Sequence, residues 1–222
     1  MSETDSFIEE VTEEVRRDKL YAMFRKYGWI PALLVILIVG GAAYNEWRKA
    51  SERAASEALG DAVVKAVASA DPMARAEALA EITPAKGDAQ VFLDLFRSAA
   101  LAEAEDSDTA LALLDQLAEN PEAPQTYRQL AQLKAVILRG ANQDRAERMA
   151  ILDQLAIAGN PFRVLAMEQK ALALYEFGNN DEAIALLRAI LDEPGATQGL
   201  LQRAQQLIVA MGGTLSDQED TE

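Results

Sequence analysis

Few residues in this chain have types and spacings that could do chemistry. Glu9-Glu10 and Glu13-Glu14 are paired carboxylates, the kind of pair an acid–base mechanism needs. They fall on the polar side of a short leader, where solvation is the expected fate. Asp106, Asp108, Asp115 and Glu119 are acids of the type that hold calcium, but their spacing fits no EF-hand loop. Gly40-Gly41 lies inside an uncharged run and does not form a phosphate-cradling glycine loop. The chain contains no cysteine and no histidine. That removes disulfides, thiol nucleophiles, the commonest zinc sites and imidazole acid–base catalysis. No catalytic, metal or cofactor site is expected, and the chain reads as no enzyme.

The element that would position everything else is Gly28–Tyr44, GWIPALLVILIVGGAAY, with no charge in a chain that is 26% charged. As a helix at ~1.5 Å per residue it would approach the ~30 Å hydrocarbon core of a bilayer. Tyr27 and Trp29 stand at one end and Tyr44 and Trp47 at the other, where amphipathic rings favour membrane–water interfaces. Arg25, Lys26, Arg48 and Lys49 flank the run, with stems long enough to snorkel. A transmembrane helix over residues 28–47 is expected, in contact with the lipid bilayer. The preceding 27 residues carry seven acids, which is unlike the basic start of a cleaved signal peptide.

Charge supports the same plan. The net charge is −15, and the part beyond the run carries 16 Lys/Arg against 29 Asp/Glu. An acidic body without a basic stripe argues against nucleic acid as a partner. Residues 1–27 read as an amphipathic leader, with Ser6 and Glu9 as a capping box and Phe7, Ile8, Val11 and Val15 as an apolar stripe. Five Lys/Arg on the N-terminal side of the run slightly outnumber Arg48, Lys49, Arg53 and Lys65 on the other. This favours a cytoplasmic N-terminus and a translocated body.

The body is expected to be all-α: alanine is abundant, and β-branched residues, glycine and proline are few. The anchor helix should continue past Trp47, with Ala54, Ala55, Ala58, Leu59, Ala62, Val63, Ala66 and Val67 on one stripe. Asp71-Pro72 should cap and start a second helix, running to about Ile82, before the turn Thr83–Asp88. Residues 48–88 thus form a membrane-proximal hairpin. Beyond it the chain repeats. DTALALLDQLAENP (Asp108–Pro121) aligns with DEAIALLRAILDEP (Asp181–Pro194) at an offset of 73, with six of fourteen positions identical. Leu114–Ala118 recurs at Leu152–Ala156, and Tyr127–Ala131 is matched by Phe162–Ala166. Such periods mark stacked helix pairs, expected over residues 89–213, with 214–222 as a disordered acidic tail.

The last unit resembles a tetratricopeptide repeat. With Val164 at position one, Ala171, Gly178, Ala183 and Leu187 fall on positions eight, fifteen, twenty and twenty-four. Met167 and Leu174 depart from that pattern at positions four and eleven. Asn180 or Asp181 is expected to cap the second helix of this unit. The leader FIEEVTEEVRRDKLYAMFRKYG, the apolar run and the segment Gly159–Met211 together resemble the YfgM-type ancillary subunit of the SecYEG translocon of Gram-negative bacteria. The resemblance implies a single-pass inner-membrane protein with a periplasmic repeat domain. It also implies association with the SecYEG translocon and with a periplasmic chaperone or exported polypeptide. A helix-pair array leaves one face lined by its first helices; Gln132, Arg139, Glu168 and Tyr175 are expected there, exposed, as partner-binding residues. The alternatives are an assembly factor or accessory subunit of another inner-membrane complex, and a holdase chaperone.

Overall fold

The computed structural model describes residues 23, 25–27, 29–84 and 87–215, with the backbone alone at 31, 32, 87 and 88. The leader, with its acid pairs, and the tail beyond 215 lie outside the described residues, apart from 23 and 25–27. The described residues form helices and no strand. The chain divides into two units, Met1–Ala58 and Leu59–Glu222.

The first unit holds most of helix α1, Trp29–Val67. At 39 residues it is about 58 Å long. Pro31 sits in its first turn, where proline's missing N–H costs no helical bond. Every described side chain from Trp29 to Ala58 is exposed. Past the apolar run the helix is held by local means: alanines, the Arg48–Glu52 pair at 3.3 Å, and the Ser56 hydroxyl donating to the Glu52 carbonyl at 2.9 Å. Among the described residues no helix is long and apolar enough to cross a membrane.

The second unit continues from the end of α1 through consecutive helices joined by short turns. They are α2 (Pro72–Ala80), α3 (Gly87–Glu103), α4 (Ser107–Glu119), α5 (Gln125–Arg139), α6 (Arg145–Leu155), α7 (Arg163–Glu176), α8 (Asn180–Leu191) and α9 (Gln198–Ala210). Aspartates start three of them. Asp71 accepts from Met73 N at 3.1 Å, Asp106 from Thr109 N at 3.3 Å, and Asp144 from Ala146 N and Glu147 N at 2.9 and 3.0 Å. Helix α2 stops at Ala80, two residues before the expected end; it packs mainly along α3, and its Leu79 also reaches Leu59, Val63 and Ala66 of α1. The N-cap position of α8 is Asn179, not Asn180 or Asp181, and its side chain makes no capping bond to the helix backbone. Gly178 takes the left-handed conformation, φ 82°, and reverses the chain early enough to put Asn179 at the cap.

Small residues bring these helices close together. One core joins Leu59, Val63 and Ala66 of α1 to Leu79 and Leu93. Ala76, Ala100 and Ala110 form the next, then Val91, Leu114, Leu117, Ala131 and Ala135. Leu133, Val136, Leu152, Leu155, Ala166 and Ala173 follow, and Met167, Ala171, Leu187, Ile190, Ala204 and Ile208 close the array. From α3 to α8, each helix packs against its predecessor on one side and its successor on the other.

The 73-residue offset extends well beyond the two segments that reveal it in the sequence. Helices starting at 72, 107 and 125 recur as helices starting at 145, 180 and 198. The caps Asp71 and Asp106 recur as Asp144 and Asn179. The ion pair Arg75–Glu103, between α2 and α3, recurs as Arg148–Glu176 between α6 and α7. The array is thus a four-helix unit used twice.

Candidate functional site

Burial fixes which residues of the first helices are equivalent. Ser98, Ala100 and Leu101 of α3, Leu133, Ala135 and Val136 of α5, and Ala171, Ala173 and Leu174 of α7 are all buried, at steps of 35 and 38 residues. The same steps align the adjoining, uncovered face. Its outermost row is Phe92, Tyr127, Leu165 and Leu200, the last of these buried in the final core; Leu95, Leu130, Glu168 and Arg203 follow. Next come Ala99, Lys134, Leu172 and Leu207, then Ala102, Ile137, Tyr175 and Ala210.

Two contacts support this register, because each joins row-mates on neighbouring first helices. The Phe92 and Tyr127 rings meet edge to face, centroids 4.9 Å apart. The Glu168 carboxylate accepts from Arg203 Nε at 2.8 Å and Nη2 at 3.0 Å, a bidentate pair between α7 and α9. This pair raises the pKa of Arg203, through the hydrogen bond first and charge second. The face is mostly apolar, and four of its large side chains stay open to solvent: Phe92, Ile137, Leu165 and Tyr175, at 39–49% exposure. Large apolar side chains left open along one face make it the candidate docking surface.

The expected partner-binding residues divide. Tyr175 is on the face and exposed. Glu168 is on the face but only 5% exposed, which corrects its expected exposure: Arg203, on α9, covers and neutralises it. Gln132 and Arg139 lie on α5 outside these rows, both half-buried. Arg139 is already engaged by Asp115 of α4. Gln132 and Arg139 miss the rows by two residues because the step from α5 to α7 is 38, which puts Leu130 and Ile137 level with Glu168 and Tyr175; Phe92 and Leu165 read as core in the sequence. The acids considered for calcium have structural tasks instead, with Asp106 capping α4 and Asp115 holding Arg139. Among the described residues no group of acids could hold a metal ion.

The expected interface residues are all exposed: Tyr27 at 50%, Trp29 at 64%, Tyr44 at 63% and Trp47 at 67%. The Tyr44 and Trp47 rings lie 6.1 Å apart, and Lys26 Nζ stands 5.5 Å from the Tyr27 ring centre. Between the two ends, Leu33 to Val39 are exposed around the whole helix, at 47–67%.

Comparison with protein-family models, curated proteins and solved structures gives no match.

Proposed function

We propose that the chain is a membrane-anchored helical-repeat scaffold of the tetratricopeptide type, with residues 28–47 spanning the inner membrane and the array working in the periplasm. The observation that carries this reading is helix α1. Its apolar stretch leaves every described Leu, Ile and Val exposed, then runs without a break to Leu59, Val63 and Ala66 in the array's first core. An all-round apolar helix needs either a protein core or lipid around it. No described helix is by itself long and apolar enough to cross a membrane, so what supports lipid is the charge-free run Gly28–Tyr44 together with its flanking aromatic and basic residues. On this reading the array binds polypeptide at its first-helix face, beside the SecYEG translocon and periplasmic chaperones. Tethering raises its local concentration there, so that weak binding suffices.

The test is topology. Single cysteines placed at Ser2 and Ser216 of this cysteine-free chain are labelled in intact spheroplasts with a membrane-impermeant thiol reagent. Labelling at position 216 alone is expected; labelling at position 2 alone puts the array in the cytoplasm and removes the translocon role. The open apolar face also favours a second reading, a holdase chaperone. That reading requires the full chain to suppress aggregation of an unfolded client, and a Tyr175→Ala variant to do so less well.

A further inference from the structure

We propose that the segment bound by the first-helix face is an apolar peptide carrying carboxylates, with Lys134 as its charge contact; this rests on the reading of that face as a polypeptide-binding surface. The apolar part follows from Phe92, Ile137, Leu165 and Tyr175, which would all lose water to a ligand lying across α3, α5 and α7. The carboxylate follows from the charges on the face. In a chain of net charge −15, the sixteen positions of the four rows include one acid, Glu168, and it is buried and held by Arg203. Arg203 is engaged by the same bond.

Lys134 is different. It sits between Leu130 and Ile137 on α5, half-buried, and makes no ion pair or hydrogen bond with any described residue. A ligand covering this part of the face takes the ammonium further from water. That is costly unless the ligand brings an anion to it. A basic segment would meet both this loss and direct repulsion, even though the net charge of the whole molecule attracts it. The face therefore selects for acidic apolar segments against the pull of the molecule's own field.

The experiment uses the full-length chain in mild detergent and two fluorescent peptides of about twelve residues. They share the same leucine and alanine content, and one carries aspartates where the other carries lysines. Binding is read by fluorescence anisotropy at physiological salt. The aspartate peptide should bind about fivefold more tightly, the discrimination expected of one partly exposed charge contact. Lys134→Gln should remove the difference, and Lys134→Glu should reverse it. Equal binding of both peptides, abolished by Tyr175→Ala, would leave the face as a binding surface and overturn the charge selection. Binding that neither Phe92→Ala nor Tyr175→Ala weakens would overturn the reading of the face itself. Circular dichroism confirms that each variant is folded before it is compared.

Discussion

Arg148 shows how strongly single side chains are committed in this array. It is 2% exposed and donates to Glu176, while its Nε has no partner among the described residues. Removing the anion strands a buried cation. Glu176→Ala should therefore cost about 1–3 kcal/mol in chemical denaturation, more than is usual for a half-exposed acid. The duplicate pair Arg75–Glu103 stands on a more open acid, and Glu103→Ala should cost less. Arg163 and Glu193 give a pH signature. Arg163 Nε donates to Glu193 at 3.2 Å and Nη1 to the Ala156 carbonyl at 2.8 Å. The hydrogen bond from Arg163 holds the Glu193 carboxyl below its ordinary range. A depressed carboxylate stabilises the fold above its unfolded value, and the benefit fades as pH falls through the folded value. Arg163 is shifted upward, so its own contribution is present throughout the neutral and acid range. The stability gap between the parent and Glu193→Gln should be constant near neutrality and close in acid, read by denaturation from about pH 7 to about pH 2.

At the scale of elements, helix starts and ends were legible because they rest on local chemistry. Asp71-Pro72 was readable as a cap followed by a first-turn proline, and Asp144 does the same work for α6 through two backbone amides. Asp144→Ala should cost about 1 kcal/mol, measurable as a lower thermal midpoint. Gly178 was readable as the end of α7, but the residue that caps α8 depended on how far its turn reversed the chain. The final turn is tighter than sequence suggested. A Cβ added at Gly213 would meet Ile208 Cγ2 at 2.9 Å and Ile184 Cγ2 at 3.1 Å. The Arg188 guanidinium also donates to the Thr214 carbonyl at 3.0 Å. Gly213→Ala should loosen the end of the array, seen as faster amide exchange in α9, although no charge or large side chain is changed.

Across the whole molecule, duplication and continuity matter more than any one contact. The four-helix unit used twice implies that equivalent core truncations should behave alike. Leu114→Ala and Leu187→Ala, both buried and 73 residues apart, should each cost about 2–5 kcal/mol. Helix α1 leads from an exposed apolar stretch into the first core of the array, so its two ends are expected to serve different environments. On the proposed reading of α1 as the anchor, a charge within the apolar stretch, such as Leu37→Arg, should release the chain from carbonate-washed membranes while the circular dichroism of the array stays unchanged. If the chain remains membrane-bound, the anchor is not this helix.

By itself, the sequence determined the helical class, the repetition of helix pairs and a few local starts and stops, such as Asp71-Pro72 and Gly178. Those depend on alanine content, on apolar spacing and on caps that act within a few residues. It also singled out the uncharged run, because missing charge is visible without a structure. Only the tertiary structure decided which side chains are open. Glu168 looks like a surface acid until Arg203, 35 residues away, closes over it, while Phe92, Ile137 and Leu165 look like core until their shared face is left uncovered. Exposure depends on what the neighbouring helix brings to each position, and that information is spread across the repeat instead of lying beside the residue.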